Sequence, residues 1–264
     1  MFTSIRDARE QLARTGYLVD DELATVVFLG AALGKPILLE GPAGTGKTEL
    51  AKAVAQATGS TLVRLQCYEG LDEARALYEW NYRKQLLRIQ ARQAGQDDQA
   101  WDDVHDDIFS EEFLLARPLL KAIRQQGPTA LLVDETDKAD VEVEGLLLEV
   151  LSDFQVTIPE LGTIEATHVP FVVLTSNATR ELSEALKRRC LYAHVDYPDA
   201  IRERAIVMSR VPEITEQLAT ELVRTIRAMR TMELRKAPSI AESIDWARAM
   251  QLLNVTELTE EVID

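Results

Sequence analysis

The sequence predicts an α/β fold in which a parallel sheet is flanked by helices and is followed by a small all-helical domain. Short apolar runs with the length of buried strands alternate with longer helix-forming segments over most of the chain. Strand signals stop after Tyr197-Pro198, and only amphipathic helical patterns follow. We therefore predict two domains, residues 1–196 and 197–264. A chain of 264 residues is long enough to bury both cores.

The first domain shows strand and helix signals in turn. The helix predicted at 21–33 has Asp20 as its N-cap and Gly34 as its stop. A hairpin insert is predicted around the turn at 159–162, because β-branched residues flank it on both sides. The other elements are strands at 37–39, 61–66, 129–134, 170–175 and 192–196, hairpin strands at 155–158 and 163–167, helices at 4–15, 48–57, 72–92, 110–126 and 141–151, and a surface loop at 93–99.

Three amphipathic helices are predicted in the second domain, at 199–211, 215–232 and 239–252. The third opens with Ser239 and carries Glu242 three positions later, which is the pattern of a capping box. A small helical domain therefore ends the predicted fold.

A phosphate-binding motif lies between the first strand and the helix that follows it. Residues 41–48 read GPAGTGKT, which matches GxxxxGK[ST] at every fixed position. Main-chain amides of such a loop surround phosphates, Lys47 reaches the terminal phosphates, and the Thr48 hydroxyl can hold Mg²⁺. The alternative is an ordinary glycine-rich turn, which the strand before and the helix after the motif disfavour. We predict ATP or GTP binding by Gly41, Pro42, Ala43, Gly44, Thr45, Gly46, Lys47 and Thr48.

Two adjacent carboxylates, Asp134 and Glu135, follow the buried strand Leu131-Leu132-Val133. Asp134 would hold Mg²⁺ directly or through water, and Glu135 would orient and deprotonate an attacking water. The alternative is an exposed acidic turn. The phosphate loop upstream favours the catalytic interpretation.

Asn177 follows the strand predicted at 170–175, where its amide could hold the attacking water or the γ-phosphate. An Asn at that position can also be a simple turn former. Further on, Lys187-Arg188-Arg189 lies where a helix meets a strand. In a monomer these cations would be a solvated basic turn or an anion patch, whereas in a ring an arginine there could reach a neighbour's γ-phosphate.

Composition disfavours several other functions. The net charge of −15 opposes general attraction to nucleic acids or anionic lipids. Cys67 and Cys190 lack metal-ligand spacing and indicate free thiols, and the three histidines are scattered. Charged residues near the N-terminus do not fit a signal peptide, and the apolar run 24–33 is broken by Gly34-Lys35-Pro36, which does not fit a membrane span. We expect a cytoplasmic protein.

Together, these motifs resemble the AAA+ ATPases. The phosphate loop, the Asp134-Glu135 pair, Asn177 and Arg188-Arg189 follow one another in that family's order and at comparable spacings. The resemblance covers nearly all of the chain. It implies a P-loop NTPase domain with inserts and a helical lid.

Other features are similar to the MoxR group of AAA+ proteins. These are the hairpin insert, the enlarged segment between the second and third strands, and the stretch GPAGTGKTELAKAVA. Residues 65–72 and 77–82 resemble the branch linked to maturation of aerobic carbon monoxide dehydrogenase, often called CoxD.

The family resemblance implies a role for each site residue. Asp134 and Glu135 would take the Walker B roles, and Asn177 would be the first sensor. Arg189 would be the arginine finger, because family members carry that arginine just before an apolar strand, and Arg188 is the alternative.

The family's second sensor, an arginine near the start of a lid helix, has no counterpart in the opening Ser239-Ile240-Ala241-Glu242. Arg235 or Arg248 could substitute. Otherwise, coupling between ATP and the lid would depend on a neighbouring subunit.

The resemblance also implies an activity and partners. The chain would hydrolyse ATP with Mg²⁺, assemble into a ring of six, and work with a von Willebrand factor A domain protein. Its client would be a metalloenzyme complex, such as a molybdenum hydroxylase. The alternatives are a nucleotide-dependent binding switch and a rubisco-activase-like remodeller. A nucleic-acid motor is disfavoured by the charge.

Tyr78, Trp80 and Tyr82 could stack nucleobases or grip a client, but alternate aromatics beside leucines favour packing. The acidic residues between 97 and 107 are expected to form a solvated face, where a client could also bind.

Overall fold

The computed structural model of the chain describes residues 1–94, 107–232, 234, 237–255 and 258. Nine strands are assigned there, numbered in chain order: β1 Ile37–Glu40, β2 Thr61–Gln66, β3 Tyr78–Trp80, β4 Leu114–Ala116, β5 Thr129–Asp134, β6 Gln155–Ile158, β7 Gly162–Glu165, β8 Phe171–Ser176 and β9 Leu191–His194. The helices are α1 Ile5–Arg14, α2 Asp21–Leu33, α3 Lys47–Thr58, α4 Glu73–Ala76, α5 Tyr82–Ala94, α6 Pro118–Arg124, α7 Val141–Asp153, α8 Glu184–Arg189, α9 Ala200–Arg210, α10 Glu216–Arg230 and α11 Ile240–Leu252, with short 3₁₀ turns at Glu111–Phe113 and Thr136–Lys138.

The central sheet has five parallel strands in the order β2-β5-β8-β1-β9. Two of its three interior strands, β5 and β8, are buried along their whole length, which explains their mainly apolar sequences. Successive side chains of one strand enter different cores: Leu131 and Val133 face one apolar cluster, whereas Leu132 faces the other. The parallel sheet covered on both faces confirms the predicted fold class.

The carboxyl ends of β1, β5 and β8 lie side by side in this order of strands. Glu40 pairs with Ser176, and Val133 pairs with Leu174. The segments that leave these three strands therefore start at the same edge of the sheet, where open α/β sheets bind ligands.

Helices α9, α10 and α11 form a unit with its own apolar cluster, which we call the helical unit. Its interior also contains Glu203, which has no exposed surface. Arg230 pairs with both carboxylate oxygens of Glu203 at 2.7 Å, and Ser243 donates to Glu203 Oε1 at 2.9 Å. Because these residues come one from each helix, the buried ion pair joins all three helices.

Two of the predicted helices are only partly correct. The helix predicted at 72–92 is interrupted by β3, and the first half of the helix predicted at 110–126 is a 3₁₀ turn and β4. The two short strands pair antiparallel, with Trp80 opposite Leu114. Trp80 is buried and packs edge-on against Phe109 at 5.2 Å between ring centroids. This long-range pairing and the burial of the indole outweigh the local helix preference.

The remaining interpretations of this region are only partly confirmed. Packing is correct for Trp80 and for the half-buried Tyr78, but Tyr82 is exposed. The predicted loop at 93–99 is wrong at its start, because residues 93–94 belong to α5, and the rest lies outside the described residues. The acidic residues up to 106 also lie outside them.

Elsewhere, the predicted helices at 4–15, 21–33, 141–151, 199–211, 215–232 and 239–252 are confirmed to within two residues at each end, and so is the antiparallel hairpin β6–β7. The caps predicted at Asp20 and Gly34 are also present. Within the part of the chain that the structure describes, no helix has the length and apolar character needed to cross a membrane.

Candidate functional site

The phosphate loop, residues 41–46, joins β1 to α3. The Lys47 ammonium folds back onto this loop and donates to the carbonyls of Gly41 and Pro42 at 2.8 and 2.6 Å. Lys47 is almost fully buried, and the loss of hydration lowers the pKa of its ammonium, although the nearby carboxylates of Asp137 and Asp134 oppose this shift. A positive charge is therefore held in a poorly hydrated place, where an anion would stabilise it.

Carbonyl groups of the loop are engaged by residues from distant parts of the chain. Such contacts hold the loop in one shape. The amides at the start of α3 have no side-chain cap, because the N-cap residue is Gly46, in the left-handed conformation. Three contacts come from outside the loop: the Tyr197 hydroxyl to Ala43 O at 3.1 Å, the Ile240 amide to Gly44 O at 3.1 Å, and the Tyr17 hydroxyl to Gly46 O at 3.2 Å.

Two glycines of the loop allow close backbone contacts. Gly41 has φ +154°, and a Cβ there would lie 2.1 Å from the carbonyl oxygen of Val195. Gly44 has φ +78°, and a Cβ there would lie 2.2 Å from the Cβ of Ser239 in the helical unit. The loop therefore fits between the residue that follows β9 and the helical unit only because these positions lack side chains.

Asp134 lies at the end of β5 and is buried. Its Oδ1 accepts hydrogen bonds from Thr48 Oγ1 at 2.9 Å and from Thr175 Oγ1 at 2.6 Å. Its Oδ2 pairs with Arg64 of β2 at 2.5 Å. The carboxylate and the Thr48 hydroxyl, which the sequence predicts as the two metal ligands, are thus in direct contact.

Glu135 has an unusual backbone conformation, with φ 57° and ψ 48°. A non-glycine residue reaches this left-handed region at an energetic cost, and such strain concentrates at functional sites. Its amide donates to Thr175 Oγ1 at 2.9 Å, which fixes the turn. Its carboxylate pairs with Lys138 at 2.5 Å, and both side chains are partly exposed.

Asp137 connects the turn after β5 with the segment after β8. Its buried carboxylate accepts the amides of Asn177 and Thr179 at 3.2 and 3.1 Å, and the Thr179 hydroxyl at 2.5 Å. Burial disfavours the charged form of Asp137, but the hydrogen bonds from Thr179 and the Asn177 amide outweigh it, so its pKa lies below the ordinary value. Asp137 thereby holds the Asn177 backbone beside the turn that carries Glu135.

A cavity of about 520 Å³ brings these elements together. Besides the phosphate loop, its wall includes the apolar residues Leu18, Leu23, Ile206 and Ile244 as well as several charged residues. Gly41 and Pro42 do not line it. The predicted site residues that do line it are Ala43, Gly44, Thr45, Gly46, Lys47, Thr48, Asp134, Glu135 and Asn177.

Arg188 and Arg189 lie elsewhere, at the exposed end of α8. They do not line the cavity of their own chain, and no ion pair of theirs is formed among the described residues. The predicted contact with a γ-phosphate therefore needs a second copy of the chain and stays a prediction.

Of the two candidates for the second sensor, Arg248 lies on α11 and lines the cavity. The start of that helix, where the family carries its arginine, is occupied by Ile240, which also lines the cavity. Arg248 lies 3.4 Å from Asp245, and both side chains are exposed. Arg235 lies outside the described residues.

These residues fit a magnesium-bound nucleoside triphosphate. The uncapped start of α3 and the buried Lys47 ammonium suit phosphate oxygens. The Thr48 hydroxyl and the Asp134 carboxylate form an all-oxygen donor pair, which is the kind that Mg²⁺ prefers. Among the described residues, no group of three or more His, Cys, Asp or Glu side chains could hold another metal ion.

The two cysteines are free thiols, as expected. Cys67 is buried and Cys190 is half-buried, and burial raises the pKa of each thiol to about 12. Neither thiol is therefore activated as a nucleophile.

Several residues of the site were missed in the sequence. Thr175, Asp137, Arg64 and Tyr197 belong to no motif that the sequence analysis identified, although Thr175 lies on the strand that Asn177 follows and Asp137 lies three residues after Asp134. The position of Asp137, two residues after the adjacent carboxylates Asp134 and Glu135, is a local signal for its place in the site.

Comparisons with known proteins agree with this geometry. The family model described as "AAA domain (dynein-related subfamily)" matches residues 36–190, which is more than half of the chain. An uncharacterized protein of Staphylococcus epidermidis is 27% identical over 225 residues, covering 83% of this chain and 76% of that protein.

Two solved structures share the fold. A mutant of RuvB from Thermotoga maritima has a TM-score of 0.54 at 14% identity and covers 99% of this chain and 69% of that chain. A Cytophaga hutchinsonii protein provisionally named an ATPase has a TM-score of 0.53 at 20% identity and covers 98% of this chain and 65% of that chain. At these identities the likeness concerns the fold alone.

Proposed function

The chain belongs to the AAA domain family, dynein-related subfamily, and from this premise we propose that it hydrolyses ATP to ADP and phosphate. One observation carries the proposal: residues 43–46 of the phosphate loop, Lys47, Asp134, Glu135 and Asn177 line one cavity. These residues come from separate segments that the parallel sheet brings to one edge. That edge is where such sheets bind nucleotides.

Each residue has a defined task in this mechanism. Lys47 and the amides at the start of α3 bind the phosphates. Glu135 orients and deprotonates the attacking water, and Asn177 holds that water or the γ-phosphate. Thr48 and Asp134 would hold Mg²⁺, which when bound neutralises charge that develops on the phosphate oxygens. Lys138 engages Oε2 of Glu135, so proton transfer to that oxygen requires this partly exposed ion pair to open, whereas the pair leaves Oε1 free to accept a proton.

The experiment that tests the activity is ATP turnover by the purified chain and by Glu135→Gln. The amide keeps the shape of the side chain but cannot accept the proton, so ATP should still bind while turnover falls by at least a hundredfold. Turnover that survives Glu135→Gln would remove Glu135 as the base. Failure of the unmodified chain to bind ATP would reject the whole proposal.

The active state is proposed to be a ring of six copies in which Arg189 reaches the neighbour's nucleotide. The exposure of Arg188 and Arg189 and their distance from their own chain's cavity support a role in trans. An arginine that reaches the γ-phosphate from a neighbour stabilises charge in the transition state. Mass measurement in solution with and without ATP tests the assembly.

The client is proposed to be a metalloenzyme complex that the chain remodels during maturation, with a separate von Willebrand factor A domain protein as partner. This part rests on the similarity of residues 65–72 and 77–82 and of the hairpin β6–β7 to the MoxR group and its CoxD-type branch. Affinity capture with Glu135→Gln in ATP tests it. Recovery of a molybdenum hydroxylase supports this client, and recovery of rubisco supports the rubisco-activase-like alternative.

A second candidate is a binding switch whose hydrolysis serves only release from a partner. The Glu135–Lys138 ion pair favours this candidate, because it occupies one of the two carboxylate oxygens of the base. Turnover with and without the partner separates the two. A remodelling machine is stimulated and continues to turn over, whereas a switch binds ATP without sustained turnover.

A further inference from the structure

We propose that Tyr197 is a positioning residue that couples the phosphate loop to the helical unit. The proposal rests on the proposed nucleotide site and concerns its regulation. Tyr197 lies between β9 and α9, and its hydroxyl donates to Ala43 O of the phosphate loop at 3.1 Å. This is a direct contact between the connection to the helical unit and the loop that would bind phosphates.

The Tyr197 ring is held by the helical unit. The guanidinium of Arg230, at the end of α10, lies 4.4 Å from the ring centroid, which is a cation–π distance. The same guanidinium donates to both oxygens of Glu203 at 2.7 Å and to Pro238 O at 2.7 Å. Arg230 therefore cannot move without breaking the buried ion pair that joins the three helices.

A second contact joins the same two parts. The Ile240 amide, the first of α11, donates to Gly44 O at 3.1 Å. The adjacent Ser239 packs so closely on Gly44 that no side chain fits there. The start of α11 and Tyr197 thus hold neighbouring carbonyls of the phosphate loop.

This arrangement gives the start of α11 a means of responding to nucleotide without an arginine. A shift of the loop around a phosphate moves Ala43 and Gly44, and both are bonded to the helical unit. Coupling between two equilibria is reciprocal. If bound nucleotide stabilises the attachment of the helical unit through this bond, the attached helical unit strengthens nucleotide binding by the same factor. Loss of the Tyr197 hydroxyl should weaken both by the same factor.

Tyr197→Phe is the informative variant, because it removes the hydroxyl and keeps the ring on Arg230. Tyr192→Phe is its matched control, since the exposed Tyr192 donates only a long 3.4 Å bond to Glu40. Two quantities are measured in the full chain: the Kd for MgADP, and hydrogen–deuterium exchange of the Ile240 amide with and without MgADP.

A neutral hydrogen bond corresponds to about a two- to tenfold change in an equilibrium. In Tyr197→Phe, the Kd for MgADP should rise about two- to tenfold, and the slowing of Ile240 exchange by MgADP should fall by a similar factor. Exchange of Ile240 without nucleotide should also be faster than in Tyr192→Phe. Behaviour equal to that of Tyr192→Phe in both measurements overturns the proposal, and so does a rise in Kd without any change in exchange.

The failure of the proposed function would look different. If the unmodified chain does not bind MgADP, the proposal of a nucleotide site is wrong. Hydrogen–deuterium exchange of the Ile240 amide without nucleotide still decides whether Tyr197 joins the phosphate loop to the helical unit. Arg230→Lys is a further check, since lysine keeps a charge for Glu203 but not the planar cation over the ring. It should reproduce part of the Tyr197→Phe effect.

Discussion

Thr175 on β8 donates its hydroxyl to Asp134 on the neighbouring strand β5, at 2.6 Å. The same hydroxyl oxygen accepts the Glu135 amide at 2.9 Å. One buried side chain thus fixes both the carboxylate proposed to hold Mg²⁺ and the strained turn that carries the proposed base. The contact crosses between two strands, so it depends on their register.

Thr175→Val should lower ATP turnover about ten- to a hundredfold, because a hydrogen bond to a charged group contributes about 1.5–3 kcal/mol. Valine keeps the branched shape in the buried strand, so the fold should persist. Thr175→Ser should recover most of the turnover. Thr129→Val is the control, since Thr129 is equally buried but donates only to Gly127 O. Equal turnover of the two valine variants would contradict this role.

Asp137→Asn should destabilise the protein at neutral pH by about 1–3 kcal/mol, since it weakens three hydrogen bonds to a buried carboxylate. The pKa of Asp137 is lowered from 3.8 in the folded state, so its charged form stabilises the fold above that pH. The contribution is lost as the pH falls through the folded-state pKa.

The difference in unfolding free energy between the unmodified chain and Asp137→Asn should therefore be full at pH 7 and shrink below about pH 4. Urea denaturation at several pH values measures it. Asp140→Asn makes the same change of charge at an exposed position and should show little effect. A difference that is independent of pH would mean that the charge of Asp137 is not involved.

Lys138→Ala should raise basal ATP turnover, by no more than about fivefold. The variant frees the Glu135 carboxylate from its ion pair, and a partly exposed pair of this kind contributes only about 0.2–1 kcal/mol. Lys84→Ala, which removes a similar exposed pair with Glu112, should leave turnover unchanged. A fall in turnover would show instead that Lys138 supports the base.

Lys47→Met should abolish the stabilisation of the fold by MgADP. A ligand at 100 times its Kd stabilises a protein by about 2.7 kcal/mol, which is easily seen as a rise in Tm. Lys52→Met, on the exposed side of the same helix, should keep that rise. A normal rise in Lys47→Met would separate Lys47 from phosphate binding.

Arg189→Ala should lower turnover about a thousandfold without weakening MgADP binding, whereas Arg188→Ala should have a small effect. The decisive measurement mixes Arg189→Ala with Lys47→Met, each inactive alone. If Arg189 acts in trans, the mixture regains turnover, because a Lys47→Met copy offers its arginine to an intact neighbouring site. No recovery in a verified mixed oligomer would argue against the finger.

The sheet could be predicted because its strands carry local signals. β5 and β8 are buried on both faces and read as mainly apolar runs, and a proline directly precedes each of them. The region around Trp80 could not be predicted, because β3 pairs with β4 more than thirty residues away. A strand of three residues held by such a distant partner has no periodicity of its own.

The residues of the site also fall into those that the sequence predicts and those that it does not. Lys47, Thr48, Asp134 and Glu135 are recognisable because backbone geometry ties their chemistry to a fixed spacing. Thr175 is not, since its role arises only when β8 lies beside β5. Tyr197 is more than 150 residues from Ala43 in the chain, so no local pattern relates the two.

The hydrogen bonds to the carbonyls of the phosphate loop affect the free energy of ligand binding. Tyr17, Tyr197 and Ile240 already hold Gly46, Ala43 and Gly44 in place. A ligand arriving at this loop meets a preorganised receptor and loses little free energy to ordering the backbone. We therefore expect affinity at this site to depend mainly on charge and shape, since a small shift of an ordered loop costs less free energy than folding it would.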